Sequence, residues 1–327
     1  MRIFAAAVLL ALSGLGLGSA AVAEDAQPYP SRLIKFIQPL GPGAPGDIVT
    51  RAVADGLGRA LGQPTVVENR TGANGIIGMD ACAKATPDGY TLCVPSFSQM
   101  STNPVLYNKL PYDPLVDLAP VILIGAINSS FAVNEAVPVK SLQELAAYAK
   151  SKPPGSINWG SWGIGSFPHL YMAWFQSVTG TTFTHVPYRT IGQAMAALVA
   201  GEVQVLLNTP GLMQPLQEAG KIRILAVVSK RRSPLLPDVP LLTELGYEMP
   251  LISWVGLTAP AGTPKDIVQK LNAETAKLIA DPDFVRKNLA PVSVDPIGGS
   301  PESFGAFLKK DREVTERVAK AAQIEKQ

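Results

Sequence analysis

The sequence predicts an α/β protein of two domains, and three observations predict it. The chain has 327 residues, beyond the roughly 250 to 300 at which one hydrophobic core usually divides. Short β-branched and aromatic runs alternate with helical periodicity along the chain, the order that builds α/β layers. The last helices can pack on the first βα units, so one domain takes residues 24–125 plus 251–327 and the other takes 126–250. Two chain crossings then form a hinge. Hydrophobic residues at 47% and charged ones at 17% fit a globular protein.

Taken in order, "MRIFAAAVLLALSGLGLGSAAVA" has Arg2, an apolar run, and Ala21-Val22-Ala23 before Glu24, the pattern of a secretory leader cleaved after Ala23. The run is shorter and more interrupted than a membrane span of about 20 residues. The mature protein is therefore expected in the periplasm. "RLIKFIQPL" reads as a strand, "DIVTRAVADGLGRALG" as a helix and "QPTVVENR" as a strand, a βαβ opening that favours a parallel sheet. A helix over 76–85, the strand "YTLCVP" and the loop "SFSQMSTNP" follow, then a proline-marked connection to the strand-rich "VILIGAINSSFAVNE". Ser141 caps the helix "SLQELAAYAKS", with Glu144 at the capping-box position. "INWGS" is a strand; the helix after it closes at Gly180, "FTHVPY" is a strand, and the next helix closes at Gly201. "VQVLLNTP", "IRILAVVS" and "SWVGLTAP" complete the strands, and amphipathic helix fills most of the remainder.

Composition removes several function classes. Loss of Arg2 leaves 27 basic residues against 26 acidic ones, about +1 net, whereas nucleic-acid binding needs a concentrated basic face. The tight cluster Lys230-Arg231-Arg232 reads as a solvated turn. His169 and His185 stand on separate elements without Cys or carboxylate at ligand spacing, so no metal site is expected. Cys82 and Cys93 are the only cysteines, and an oxidising compartment favours their disulfide over two buried thiols.

"GPGAPG" at 41–46 matches G-x-G-x-x-G between a strand and a helix, with Glu68 where a ribose-binding acid would stand. Pro42 and Pro45 remove backbone donors, and Asp47 puts a carboxylate at the positive end of the helix. A dinucleotide site is therefore disfavoured, and no cofactor is expected. The loop reads instead as a bend presenting backbone groups to a cleft, with Asp47 as N-cap and Arg51 as its helical partner. "GSWGIGSFPHL" at 160–170 lacks the Lys of a P-loop and the G-x-S-x-G of a nucleophile elbow. Ser166 and His169 could meet within one helical turn, but no acid is placed to orient the imidazole. Its glycines and hydroxyls at a helix start suit reversible holding of a carboxylate. Ser96 and Ser98, and likewise Asn208 and Thr209, end strands where open α/β sheets bind ligands. Trp162 and Phe167 flank the glycine turn and offer contact to a ligand body.

Together "YPSRLIKFIQPLGPGAPGD", "LGQPTVVENRTGANGIIG", "ATPDGYTL", "NPVLYNKLPYDPLVDLAPV", "GSWGIGSFPHL", "HVPYR", "SPLLPDVPLLTELGY" and "WVGLTAPAGTP" resemble the extracytoplasmic solute receptors of tripartite tricarboxylate transporters, the Bug family. The resemblance runs over essentially the whole mature chain. It implies a type II-like periplasmic binding protein: two α/β domains around a hinge, closing on a small carboxylate delivered to the membrane permease, with the receptor a monomer and no catalytic residue. Carried onto this sequence, the ligand site is Leu40, Gly41, Gly43, Ala44 and Asp47; Ser96, Phe97 and Ser98; Ser161, Trp162, Gly163, Ile164, Gly165, Ser166 and His169; and Asn208 with Thr209. Two departures stand out. "GPGAPGD" replaces the family's Pro-Pro-Gly-Gly loop, and Arg189-Thr190 replaces Lys-Gly after "HVPY". The aromatic pair points to an aromatic carboxylate such as a phthalate-type diacid. The alternatives are a periplasmic hydrolase using Ser166 and His169, and, behind it, a nicotinamide-dependent oxidoreductase.

Overall fold

The computed structural model describes residues 28–248, 251–321, 324 and 326; the leader expected at 1–23 lies outside them. The chain opens with β1 (Ile34–Gln38), α1 (Pro45–Leu61), β2 (Thr65–Asn69), α2 (Ile76–Ala83), β3 (Thr91–Cys93), α3 (Asn103–Leu106) and β4 (Leu118–Ile127). The central part is β5 (Ser129–Asn134), α4 (Leu142–Lys150), β6 (Asn158–Ser161), α5 (Phe167–Thr179), β7 (Thr184–Pro187), α6 (Ile191–Ala200), β8 (Val205–Asn208), α7 (Pro210–Glu218) and β9 (Ile222–Val228). The last part is β10 (Ser253–Pro260), α8 (Lys265–Ala280), α9 (Pro282–Phe284), β11 (Val294–Pro296) and α10 (Pro301–Ala321).

These strands form two sheets. One has the order β11-β4-β10-β3-β1-β2 and draws on both chain ends; the other has the order β7-β6-β8-β5-β9. The parallel expectation holds only in part. β1 pairs in parallel with β2 and β3, but β10 enters between β3 and β4 antiparallel to both. In the second sheet β6 is parallel to β7 and β8, while β5 is antiparallel to β8 and β9. Strand direction depends on partners far away in sequence, which a local βα pattern does not specify.

The first crossing between the sheets is the single residue Asn128, and the second lies between β9 and β10. Both are tied to one carboxylate: Asp295 accepts from Asn128 Nδ2 at 3.0 Å and from Arg231 at 2.7 Å. Buried Ile34, Phe36, Val49, Leu57 and Leu257 pack the first sheet against α1 and α8. In the second half Phe131, Trp159, Tyr171 and Phe175 form an aromatic cluster with centroids about 6 Å apart, a spacing that favours tilted and edge contacts. Cys82 on α2 is bridged to Cys93 on β3, with Cα atoms 6.3 Å apart.

Candidate functional site

A cavity of about 840 Å³ lies between the two halves. Its first wall is residues 39–44, between β1 and α1, with 71–75 between β2 and α2; its second is 162–164 after β6 and 187–193 leading into α6. Tyr107, Met195 and Leu212 complete the lining. The walls approach closely at two points. A β-carbon at Gly165 would come within 3.5 Å of Leu106, Thr102 and Asn74, and one at Gly41 would lie 3.8 Å from Thr190.

The first wall is shaped by groups behind it. Ala44, not Asp47, holds the N-cap position of α1, and Pro45 follows it, a position where a missing N–H costs nothing. Asp47 is buried in the first turn; its carboxylate accepts from Gly43 N–H at 3.0 Å, Asn69 Nδ2 at 2.8 Å and the Arg51 guanidinium at 3.1 Å. Leu40 N–H goes to Gln38 Oε1 and Ala44 N–H to Gly41 O. Two donors of the "GPGAPG" loop, and that of Leu40 just before it, are therefore taken internally. An internal carboxylate already sits at the α1 N-terminus, which closes it to a pyrophosphate.

Residues 71–75, "TGANG", were not singled out from the sequence as a site. Gly72, Ala73, Asn74 and Gly75 all have positive φ, at 127°, 46°, 52° and 84°. For Ala73 and Asn74 this left-handed backbone is unfavourable. It is held by Gly75 N–H on Gly72 O and by the side chains of Gln99 and Asn103, which both donate to the Asn74 carbonyl. Two glycines around an asparagine were the available signal.

The second wall is supported by a histidine pair. His169 and His185 stack with centroids 4.1 Å apart. Burial pushes His169 down to about 4; burial, together with the neighbouring His169, pushes His185 down to about 3. Both rings are neutral at pH 7. His169 Nδ1 accepts from Gly165 N–H at 3.1 Å, so its proton sits on Nε2, and His185 Nε2 lies 2.6 Å from Ser161 Oγ. The pair thus braces both ends of the 162–165 turn. Ser166 Oγ donates to Gly163 O at 2.6 Å rather than to His169, so the Ser166–His169 dyad is not formed.

Of the residues expected from the sequence, Leu40, Gly41, Gly43, Ala44, Trp162, Gly163 and Ile164 line the cavity. Asp47, Ser161, Gly165, Ser166 and His169 stand behind the wall and shape it. Ser96, Phe97 and Ser98 are buried away from it, because "SFSQMSTNP" is not an open loop: residues 98–102 wind into a π-turn leading to α3. Ser96 bonds Gln99, and Phe97 packs edge-on against Phe167. Phe167 is therefore core, and Tyr107 and Tyr188 join Trp162 as the aromatic lining. Asn208 and Thr209 are also buried; Asn208 Nδ2 and Thr209 Oγ1 lack hydrogen-bond partners among the described residues, as do Asn74 Oδ1 and Thr102 Oγ1 beside Gly165. Arg189 is the one charged side chain among the described lining residues. No group of three or more His, Cys, Asp or Glu suited to a metal occurs among the described residues.

A family model described as the tripartite tricarboxylate transporter family receptor matches residues 49–324. Protein BugT of Bordetella pertussis is 34% identical over 305 residues, covering 92% of this chain and 93% of its own. Among solved structures, Rpa4515 of R. palustris with adipate is similar at 33% identity and a TM-score of 0.86, covering 91% of this chain and all of its own. MatC from Rhodopseudomonas palustris with bound malate is similar at 30% identity and a TM-score of 0.81, covering 89% and 99%. The fold is that of the periplasmic binding proteins, as the sequence predicted.

Proposed function

The chain belongs to the tripartite tricarboxylate transporter receptor family, the Bug receptors, and on that premise we propose that it captures a small carboxylate in the periplasm and hands it to the membrane subunits of such a transporter. Export on the 1–23 leader and action as a monomer belong to the same reading. The observation that carries it is the cavity walled from both sheet-bearing halves. A ligand touching both walls stabilises their closed arrangement by its differential contacts with the two states. The crossings at Asn128 and between β9 and β10 are where the halves turn. No carboxylate side chain is among the described lining residues, so an anion meets no like charge there.

Ile164, Met195 and Leu212 give the ligand body an apolar surface, and Tyr107, Trp162 and Tyr188 give it aromatic faces. An aromatic carboxylate such as a phthalate-type diacid falls within the reading on that ground. Adipate and malate in the two similar structures support small carboxylates more generally. A thermal-shift screen of aliphatic and aromatic mono- and dicarboxylates is the test. A bound acid at about 100 times its Kd stabilises the fold by about 2.7 kcal/mol through mass action. No shift with any acid counts against the reading.

A further inference from the structure

We infer that Arg189 selects the charge of the ligand: its guanidinium holds one carboxylate at the α6 end of the cleft, so a diacid is preferred to its own half-ester. This rests on the carboxylate reading above and adds to it the residue that discriminates.

Arg189 is electrostatically isolated. Arg51, Arg70, Arg223, Arg231 and Arg232 each pair with a carboxylate. Among the described residues the Arg189 guanidinium has no such partner, and its backbone N–H donates to Gln193 Oε1 at 3.2 Å. The charge on this cavity-lining residue is thus uncompensated among the described residues. Such a charge attracts an anion and raises its local concentration.

Its position adds to this. Arg189 directly precedes Thr190, the N-cap of α6, whose hydroxyl accepts from Gln193 N–H at 3.2 Å. The first turn of α6 contains no acidic residue, so the positive end of its dipole adds to the Arg189 charge. At α1 the corresponding position is occupied by Asp47. Thr190 also faces Gly41 across the cleft. A carboxylate at Arg189 would therefore stand between a cation on one wall and a neutral backbone loop on the other.

The chemistry of the side chain acts in the same direction. A guanidinium grips a carboxylate with two parallel N–H donors, which the ammonium of a lysine does not. The far end of the cavity, near Asn74 and Gly165, offers only neutral groups. The cavity is thus charged at one end and neutral at the other. A second carboxylate at the neutral end is held by uncharged donors, while the Arg189 end discriminates charge. Because Arg189 is exposed, solvent screening limits the effect to about tenfold in affinity.

Isothermal titration tests this with wild type, Arg189→Lys and Arg189→Ala against straight-chain diacids from succinate to suberate and against phthalate, each paired with its monomethyl ester. Wild type is expected to bind at least one diacid about tenfold more tightly than its half-ester. Arg189→Ala should lose that discrimination with its melting temperature unchanged, and Arg189→Lys should fall between. An Arg189→Ala protein that keeps the discrimination overturns the assignment, as does a wild type that binds acids without showing any. A wild type that binds no acid overturns the carboxylate reading itself, and does so before any variant is compared.

Discussion

The two walls of the cleft solve different problems. Residues 39–44 and 71–75 form a neutral wall whose backbone is held from behind by Asp47, Gln99 and Asn103. Residues 162–164 and 187–193 form a wall that presents Trp162 and the uncompensated Arg189, braced by two neutral histidines. The first wall sets shape and the second reads chemistry. A carboxylate at a helix start has opposite meanings in the two places: Asp47 closes the α1 terminus to anions, while its absence at α6 leaves that terminus open.

The largest expected effect breaks the first wall. Asp47→Ala leaves the Gly43 N–H, the Asn69 amide and the half-exposed Arg51 without their shared acceptor, and loss of hydrogen bonds to a charged acceptor costs about 1.5 to 3 kcal/mol. Urea unfolding should show that loss, and a loss below about 1 kcal/mol would mean that Asp47 does not organise the wall.

Acid probes the second wall. The folded values of His169 and His185, about 4 and 3, lie below the unfolded value of about 6.5. Their contribution to stability is fully present above about pH 6.5 and is lost as pH falls toward 4 and 3. Asp311 acts in the opposite sense. Burial raises it to about 6, against the lowering effect of its hydrogen bonds from Ser101 and Trp254. It takes up its proton earlier in the folded state, so its contribution grows as pH falls from about 6 toward 4. Asp311→Asn should therefore steepen the acid loss, read as urea midpoints at pH 7, 5.5 and 4.5. A pH-independent difference from wild type would remove the burial argument for Asp311.

The smallest effect returns to the first wall. Ala73→Gly relieves a left-handed alanine and should stabilise the fold by about 1 kcal/mol in the same urea assay. Destabilisation instead would show that the Ala73 methyl group contributes more than the strain costs.

Local signals were the legible ones. Gly180 and Gly201 close α5 and α6 in the left-handed conformation, and Ser141 caps α4 with Glu144 reaching back to Lys140 N–H. Each is set by residues within one or two turns. The antiparallel entry of β10 beside β3 and β4 was not legible, because its partners lie more than a hundred residues away. In the site, the glycine turn at 162–165 was visible from composition. The inward turn of 96–98 was not, since its cause is the pairing of Ser96 with Gln99 and of Ser101 with Asp311. Arg189 was visible as a departure from the family pattern; its place on the cavity wall needed the fold.

If ligand sits between the walls, filling that space must abolish binding. Gly192 lines the cavity on α6, and a β-carbon there would meet nothing within 4 Å. A phenylalanine at this position should enter the cleft without backbone strain. Isothermal titration of wild type with the tightest-binding carboxylate should show one site per chain, and Gly192→Phe should lose it while retaining its melting temperature without ligand. Unchanged binding by a folded Gly192→Phe protein would place the ligand elsewhere and contradict the account.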